Sequence, residues 1–213
     1  SSTSRGLGDV YKRQVLDMSK IENDKLQLTP QIVSLHSIIF STLDILQSLA
    51  EKKGVLLQRK VNVADCSVYA DSRRLQQIMV NLGANAVKFT AKDKKVVLKC
   101  DMLGQDDESM LVRFVLEDEG IGIKESNRQC IFEAFNQGGR STDAFYGGTG
   151  LGLAISQKLA HMMGSEIKLV STFGVGSRFW FDLRLAKASF LQQTFVTDEI
   201  DLHGYRLLVV EDN

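Results

Sequence analysis

The sequence has little cysteine, a single proline and no long apolar run, and these absences exclude several classes of protein. The three cysteines are far apart, lack a CxxC spacing and are odd in number, so no disulfide scheme pairs all of them. We therefore expect Cys66, Cys100 and Cys130 to be reduced core thiols in a cytosolic protein. No signal peptide is visible, and no apolar run reaches the roughly 18 residues that cross a bilayer. We expect a cytoplasmic domain, which a longer protein could anchor to a membrane.

Neither sign of charge predominates, because 26 basic side chains oppose 26 acidic ones and the pI is near 6.8. A balanced charge gives no reason to expect nucleic acid as a partner. The 213 residues are 44% hydrophobic and 24% charged. This composition is typical of an ordinary globular domain with one core.

The start of the chain differs from its middle. Residues 1–14 show no periodicity and are rich in serine, glycine and charge, so we interpret them as a non-native junction. Residues 15–25, VLDMSKIENDK, predict the end of a helix. The following LQLTPQIV predicts a short strand that contains the only proline, which suits an edge strand or a strand start.

Helix and strand signals alternate through residues 34–185. Ser34 is placed to cap a helix that ends at Gly54, and Asp71 to cap a second helix that runs into NLGANAVKFT. A third helix, LGLAISQKLAHMM, ends at Gly164. Strands are predicted for VLLQRKV, CSVYA, KKVVLKCDML, SMLVRFVLE, SEIKLVST and SRFWFDLRL, with turns at GQDDE and FGVG. Adjacent strand pairs among helices predict a two-layer α/β sandwich, with a mixed, partly antiparallel sheet backed by helices.

The stretch NLGANAVKFT, residues 81–90, places polar side chains within an apolar helical run. Asn81 and Asn85 are four residues apart and Lys88 is three further on, so all three lie on one face of the helix. Amide oxygens are neutral hard ligands that Mg²⁺ accepts alongside phosphates, and a lysine can meet a phosphate as a point charge. A solvated helix face explains these residues equally well when the helix is taken alone.

Two glycine-containing stretches favour the nucleotide interpretation. In EDEGIGI, residues 117–123, Gly120 and Gly122 permit close approach of a flat ligand, and Asp118 can accept a hydrogen bond from an exocyclic amine such as that of adenine. In GGTGLGLAIS, residues 147–156, glycines lead into a helix N-terminus, whose free N–H groups suit phosphates. The spacing is not the Rossmann GxGxxG, and no GKS or GKT of a P-loop occurs.

Five stretches together resemble the conserved boxes of one enzyme family. In order and spacing, NLGANAVKFT, DEGIGI, IFEAFNQ, GGTGLGL and GVGSRFWF resemble the N, G1, F, G2 and G3 boxes of the catalytic ATP-binding domain of two-component sensor histidine kinases. The resemblance covers residues 15–186 and implies the Bergerat fold of the GHKL ATPase and kinase superfamily, with an ATP lid between the F and G2 boxes. It also implies ATP and Mg²⁺ as ligands, and transfer of the γ-phosphoryl group to a histidine.

The same resemblance implies roles for individual residues. Asn81, Asn85 and Lys88 form the expected catalytic set, with Asn85 as the Mg²⁺ ligand and the other two beside the phosphates. Asp118 is the expected adenine contact, and Phe132 is expected to anchor the lid together with Phe135. The residues expected to line the rest of the nucleotide site are Gly120, Gly122, Ile123, Phe135, Gly148, Thr149, Gly150, Leu151, Gly152 and Leu153.

The resemblance also divides the chain into domains. It assigns residues 15–25 to the end of the second dimerisation helix, residues 26–187 to the catalytic ATP-binding domain and residues 188–204 to a linker. Residues 205–213, YRLLVVEDN, resemble the first strand of a receiver domain; a buried strand followed by acids is the open alternative. The expected partners are a histidine-bearing dimerisation domain of the same protein, a fused receiver domain and a second copy of the full-length protein.

The chain departs from the family at the phosphoacceptor. His36, His161 and His203 stand in SLHSI, LAHMM and DLHGY, none of which resembles the His-Glu-x-x-Thr-Pro setting of the acceptor. We therefore expect this fragment to be inactive in autophosphorylation. Relatives of this fold that hydrolyse ATP carry a glutamate where Asn81 stands, and an amide cannot accept a proton at neutral pH. A hydrolytic GHKL ATPase is thus the less favoured alternative, and a non-catalytic nucleotide-binding or dimerisation module is the alternative from another class.

Overall fold

A mixed sheet of seven described strands forms one layer of the domain. The computed structural model describes Leu16, Ser19 and residues 25–128, 130–133 and 150–189. The strands lie in the order β1-β3-β7-β5-β4-β2, and β6 pairs with β7 beside this path. β2 runs parallel to β4, and the other described pairs are antiparallel. Their bounds are β1 Gln31–Ser34, β2 Leu56–Asn62, β3 Ser67–Ala70, β4 Lys95–Gln105, β5 Ser109–Asp118, β6 Lys168–Thr172 and β7 Gly176–Lys187.

Helices α1 (Leu35–Lys53), α2 (Ser72–Phe89) and α3 (Gly152–Met162) form the second layer, and a short 3-10 turn spans Glu125–Asn127. Both predicted helix caps are present. The Ser34 hydroxyl accepts a hydrogen bond from the Ser37 N–H at 3.0 Å, and α1 ends at Gly54 in the left-handed region with φ 71°. Asp71 accepts a hydrogen bond from the Arg74 N–H at 3.0 Å. These caps satisfy N–H groups that the first turn of a helix leaves without partners.

The core lies between the helices and one face of the sheet. Phe114 of β5 and Phe181 of β7 stack there, with 5.1 Å between ring centroids. Burial of such apolar surface is the main favourable contribution to folding. The largest fully buried side chains include Leu35, Ile39 and Leu46 of α1, Leu75, Ile78, Met79 and Leu82 of α2, and Leu98, Met110 and Leu116 of the sheet.

Close packing of α1 against α2 depends on Gly83. A Cβ atom at this position would lie 2.7 Å from Cδ2 of Leu46, and nearer still to its Cδ1. Leu46 is fully buried, so it has little room to move in a close-packed interior. Glycine inside a helix costs about 1 kcal/mol relative to alanine, and this contact gives the physical reason for the glycine.

Gly83→Ala is expected to lower the free energy of unfolding by about 1 kcal/mol, because overpacking costs roughly 1–3 kcal/mol and the gain in helix propensity offsets about 1 kcal/mol of it. Gly104→Ala is the matched control, since no atom lies within 4 Å of the Cβ it would add. Urea unfolding measures both variants. A Gly83→Ala domain as stable as the wild type would contradict the packing argument.

The predicted fold class is confirmed, whereas three predicted element boundaries are wrong. The strand predicted for LQLTPQIV begins only at Gln31, after Pro30, which lacks the N–H that a ladder needs. Gly104 and Gln105, predicted to lie in a turn, belong to β4 beyond a shift in its register. β6 begins after the predicted start at Ser165, because the Ser165 N–H donates to the Ala160 carbonyl in the last turn of α3.

Several predicted segments lie outside the described residues. These are the junction at 1–14, most of the linker and the receiver segment at 205–213. Of the predicted dimerisation helix, Leu16 and Ser19 are helical and Lys25 is not. The domain boundaries therefore stay predictions.

The cysteines only partly match their prediction as core thiols. All three are free, but only Cys100 is buried, and Cys66 and Cys130 are half-buried. Burial raises the pKa of the Cys100 thiol to about 12. Among the described residues, no helix combines the length and the apolarity needed to span a bilayer.

Candidate functional site

The C-terminal half of α2 presents the three polar residues singled out in the sequence. Asn81, Asn85 and Lys88 are all half-buried on this helix. The Asn81 amide donates to the Ser156 hydroxyl at 3.1 Å and to the Gly152 carbonyl at 3.4 Å. These contacts join the second half of α2 to the first two turns of α3, and they fix the orientation of the Asn81 amide.

The other two residues of this face have different surroundings. No described residue forms a hydrogen bond with the Asn85 amide, so its oxygen is available to a ligand as far as the described part of the chain is concerned. The Lys88 Nζ atom lies 4.9 Å from the centroid of the Phe89 ring. Lys53, the last residue of α1, donates hydrogen bonds to two carbonyl groups at the end of α2: that of Val87 at 3.0 Å and that of Lys88. Burial lowers the pKa of Lys53.

Asp118 ends β5 with one carboxylate oxygen engaged by the protein. Its Oδ1 atom accepts hydrogen bonds from the N–H groups of Gly120 at 2.8 Å and Ser177 at 3.3 Å. Within the described residues no donor contacts Oδ2. This arrangement holds the carboxylate in a fixed orientation and leaves one oxygen to accept a hydrogen bond from a ligand.

Burial raises the pKa of Asp118, and the hydrogen bonds from Gly120 and Ser177 oppose part of that rise. The fold therefore favours the neutral acid more than water does. A raised folded-state pKa contributes stability that is fully present below the ordinary pKa of 3.8 and is lost as the pH rises through the folded-state value.

It follows that Asp118→Asn, which mimics the neutral acid, should raise the melting temperature of the nucleotide-free domain at pH 7. A gain of ~1 kcal/mol would appear as ~2–4 °C. The advantage over the wild type should shrink as the pH is lowered from 7 towards 4. Thermal unfolding of both proteins across this range measures the effect. A difference that is independent of pH, or a variant less stable at pH 7, would contradict the assignment of the titrating group.

The loop after Asp118 is pressed between the end of α2 and the β6–β7 turn. A Cβ atom on Gly120 would lie 2.6 Å from the Phe89 carbonyl oxygen. Gly122 has φ 64°, and a Cβ atom there would lie 2.7 Å from the Thr172 carbonyl carbon. Only glycine meets both the left-handed conformation and the close approach. The Ile123 N–H donates to the Ser171 hydroxyl at 2.8 Å, which fastens the loop to β6.

The entry to α3 is the described part of the glycine-containing stretch GGTGLGLAIS, residues 147–156. Gly150 has φ 66°, and buried Leu151 begins the helix by accepting a hydrogen bond from the Ile155 N–H at 2.9 Å through its carbonyl. A Cβ atom on Gly152 would lie 3.8 Å from Cγ of Asn81. Leu153 packs against the core. The positive end of the helix dipole is thus placed beside the polar face of α2.

Phe132 packs its ring edge-on against Phe179 of β7, with 6.5 Å between centroids. The stretch IFEAFNQ is predicted to anchor the lid. This contact holds its described part against the core. Three predicted site residues, Phe135, Gly148 and Thr149, lie outside the described residues.

The structure brings the described candidate residues together from three separate parts of the chain. Asn81 meets the start of α3, and the Asp118 loop meets the end of α2 at Phe89, whose carbonyl accepts a hydrogen bond from the Ile121 N–H at 3.2 Å. Sequence reasoning missed Ser156, Ser171 and Ser177, which hold these parts together. No local signal marks them, since their partners are 75, 48 and 59 residues away.

These residues fit a Mg-nucleotide. Asp118 offers one free carboxylate oxygen, the glycines permit close approach, and the start of α3 presents N–H groups of the kind that bind phosphates. Asn85 offers a neutral oxygen, and Mg²⁺ accepts such a ligand beside phosphate oxygens.

Comparison with known proteins decides the family. Residues 70–187, more than half of the chain, match the family described as "Histidine kinase-, DNA gyrase B-, and HSP90-like ATPase". The chain belongs to this family. The matched residues contain every candidate residue from Asn81 to Leu153, so the resemblance found in the five boxes is confirmed.

Within the family, the similar proteins are sensor kinases. The chain is 37% identical over 199 residues to the sensor protein GacS of Pseudomonas syringae pv. syringae, covering 93% of this chain and 22% of GacS. It is 34% identical over 173 residues to hybrid signal transduction histidine kinase B of Dictyostelium discoideum, covering 79% of this chain and 9% of that protein. The chain thus spans less than a quarter of the length of these curated relatives.

A solved structure supports the same assignment. Full-length ShkA in complex with AMPPNP superposes with a TM-score of 0.71 at 31% identity, covering 84% of this chain and 36% of that one. The domain is the ATP-binding catalytic domain of a sensor histidine kinase in two-component signalling, with the mixed sheet and helices of that fold.

Proposed function

We propose that this domain binds Mg-ATP and transfers the γ-phosphoryl group to a histidine on a dimerisation domain of the same protein. The observation that carries the proposal is the Asn81 amide, held by Ser156 and Gly152 at the junction of α2 and α3. An amide cannot take a proton from water at neutral pH. The site therefore keeps ATP for a nucleophile that needs no such base, such as a neutral imidazole.

Each described site residue has a role in this proposal. Asp118 accepts a hydrogen bond from the adenine amine through Oδ2, and its neighbours Gly120, Gly122 and Ile123 let the base approach. Asn85 ligates Mg²⁺, and Asn81 and Lys88 lie beside the phosphates. A Mg²⁺ ion held by Asn85 would offset the negative charge of the phosphates. The phosphates lie against the start of α3, where the proposed contacts are Gly150, Leu151, Gly152 and Leu153. Gly148 and Thr149, which lie outside the described residues, are further proposed contacts.

The transfer breaks the bond between the γ-phosphorus and the bridging oxygen and forms a phosphorus–nitrogen bond to the imidazole, with ADP as the leaving group. Phosphoryl transfer needs mainly positioning and charge stabilisation. The protein groups proposed for this work are the amides of Asn81 and Asn85 on α2, the charge of Lys88 and the N-terminus of α3.

We propose that the acceptor comes from another domain, because none of the three histidines of this chain stands in the His-Glu-x-x-Thr-Pro setting of the acceptor. His36 Nε2 lies 2.8 Å from the Val63 carbonyl oxygen, and exposed His161 lies 3.4 Å from the Gln157 amide nitrogen. His203 lies outside the described residues. We propose that the whole protein is a homodimeric hybrid kinase with a fused receiver domain, a proposal supported by the hybrid kinase among its relatives.

The proposal is tested by incubating γ-labelled ATP and Mg²⁺ with this chain, alone and with a separately produced dimerisation domain. Alone, the chain should remain monomeric and unlabelled and should hydrolyse ATP very slowly. With the acceptor domain, label should appear on that domain and disappear on acid treatment, since phosphohistidine is acid-labile. A domain whose acceptor histidine is replaced by glutamine is the control. Acid-stable label on this chain would contradict the proposal.

A further inference from the structure

The carboxylate of Asp71 holds two distant segments together. Only 4% of Asp71 is exposed. Its Oδ1 caps α2 at the Arg74 N–H, while its Oδ2 accepts hydrogen bonds from the Thr29 N–H at 2.9 Å and the Thr29 hydroxyl at 3.3 Å. A helix cap needs only one oxygen. The second oxygen therefore serves the segment that contains Thr29, 42 residues away in sequence.

That segment enters the domain along a fixed path. Leu26 is 7% exposed and belongs to the main core. Thr29 precedes Pro30, and a residue before proline is restricted to extended conformations. Gln31 then pairs with Ala70, the residue directly before Asp71. Three attachments within six residues thus hold the entering chain against the start of α2.

The same helix carries the proposed catalytic residues. At a rise of ~1.5 Å per residue, Asn81 lies ~15 Å from Asp71 along α2, and Lys88 lies further still. Asp71 is therefore too distant to contact the nucleotide. Asp71 instead contacts both the entering chain, at Thr29, and the start of the helix that carries Asn81, Asn85 and Lys88.

We infer that Asp71 is a positioning residue for phosphoryl transfer. Through Thr29, it fixes the path on which the chain enters the catalytic domain, and with it the encounter of bound ATP with an acceptor histidine on the preceding domain. This inference rests on the proposed function. It concerns the rate of transfer between joined domains and leaves ATP binding unchanged.

Three substitutions separate the attachment of the segment that contains Thr29 from helix capping. Asp71→Ser keeps a good N-cap oxygen but is too short to hold Thr29 as well. Thr29→Val removes only the hydroxyl hydrogen bond and leaves Asp71 and its cap intact, so it tests the attachment even if Asp71→Ser is unstable. Ser34→Ala removes the cap of α1 and leaves the contact between Thr29 and Asp71 in place, so it is the control for general destabilisation.

The experiment measures transfer at saturating ATP in two formats. In the first format, the assayed protein carries the dimerisation domain joined to the catalytic domain through the segment that contains Thr29, as proposed for the natural protein. In the second, this chain receives the acceptor domain as a separate protein. We expect Asp71→Ser to slow transfer ~10- to 100-fold in the joined format, the range expected for a misplaced reactant. Its rate in the separate format and its affinity for Mg-ATP should stay within about twofold of wild type.

Thr29→Val should show a smaller loss that is likewise confined to the joined format, and Ser34→Ala should transfer normally in both. Equal losses in the two formats would overturn this inference, and so would the absence of a loss in the joined format for either Asp71→Ser or Thr29→Val. Both outcomes would leave the proposed function standing. Absence of transfer by the wild type in both formats would overturn the proposed function and this inference with it.

Discussion

Asn85→Ala is expected to weaken Mg-ATP binding by at least about 100-fold. Mutating a residue that only hydrogen-bonds to a metal ligand already lowers the affinity for the metal roughly 10- to 100-fold. The fold should be unaffected. Asn85 is half-buried, no described residue forms a hydrogen bond with its amide, and alanine is the better helix former. The melting temperature without nucleotide should therefore stay the same or rise slightly.

Calorimetric titration with Mg-ATP measures the effect, and thermal unfolding without nucleotide checks the fold. Asn62→Ala is the matched control, because it removes the same atoms from an exposed position on β2, where Asn62 contacts Asp101. This control should bind like the wild type. Equal affinities of Asn85→Ala and the wild type would remove Asn85 from the proposed metal site.

Asp118→Asn is expected to reduce the preference for ATP over GTP by about 100-fold, because a hydrogen bond to a charged group contributes ~1.5–3 kcal/mol. The asparagine oxygen can still accept from Gly120 and Ser177, so the loop should keep its shape. The amide nitrogen then occupies the place of Oδ2, where it would face the adenine amine with a donor. The site loses the acceptor that distinguishes the two bases.

Competition binding of ATP and GTP measures this preference. Glu117→Gln is the matched control, since Glu117 precedes Asp118 on β5 but forms an ion pair with Lys99 on the sheet. This control should discriminate as the wild type does. A wild-type domain that binds ATP and GTP alike would show that Asp118 does not select the base.

Local signals in the sequence predicted the elements and their caps. Ser34, Asp71 and Gly54 could be identified because a cap depends on residues within one helical turn. The shared face of Asn81 and Asn85 follows from the helical period alone. At Gly104, where the prediction of a strand end went wrong, pairing with another strand decided the boundary. Such pairing leaves no mark in a short stretch of sequence.

The arrangement of the site could be predicted only in outline. The five boxes predicted which residues meet, but not that Ser156 holds the Asn81 amide or that Ser177 orients Asp118. A serine hydroxyl such as that of Ser156, or a backbone N–H such as that of Ser177, has the same local signature whether it faces solvent or a distant partner. The second oxygen of Asp71 was missed for the same reason, because capping α2 already explained an aspartate at that position.

The measurement that tests the central claim most directly is the fate of the γ-phosphoryl group in a single turnover. The domain, with labelled Mg-ATP already bound, is mixed with an excess of the acceptor domain, and the label is divided between protein-bound phosphohistidine and inorganic phosphate. Because Asn81 supplies no base for water, we expect most of the label on the histidine. Rapid appearance of the label as inorganic phosphate, with the acceptor histidine unmodified, would contradict the account.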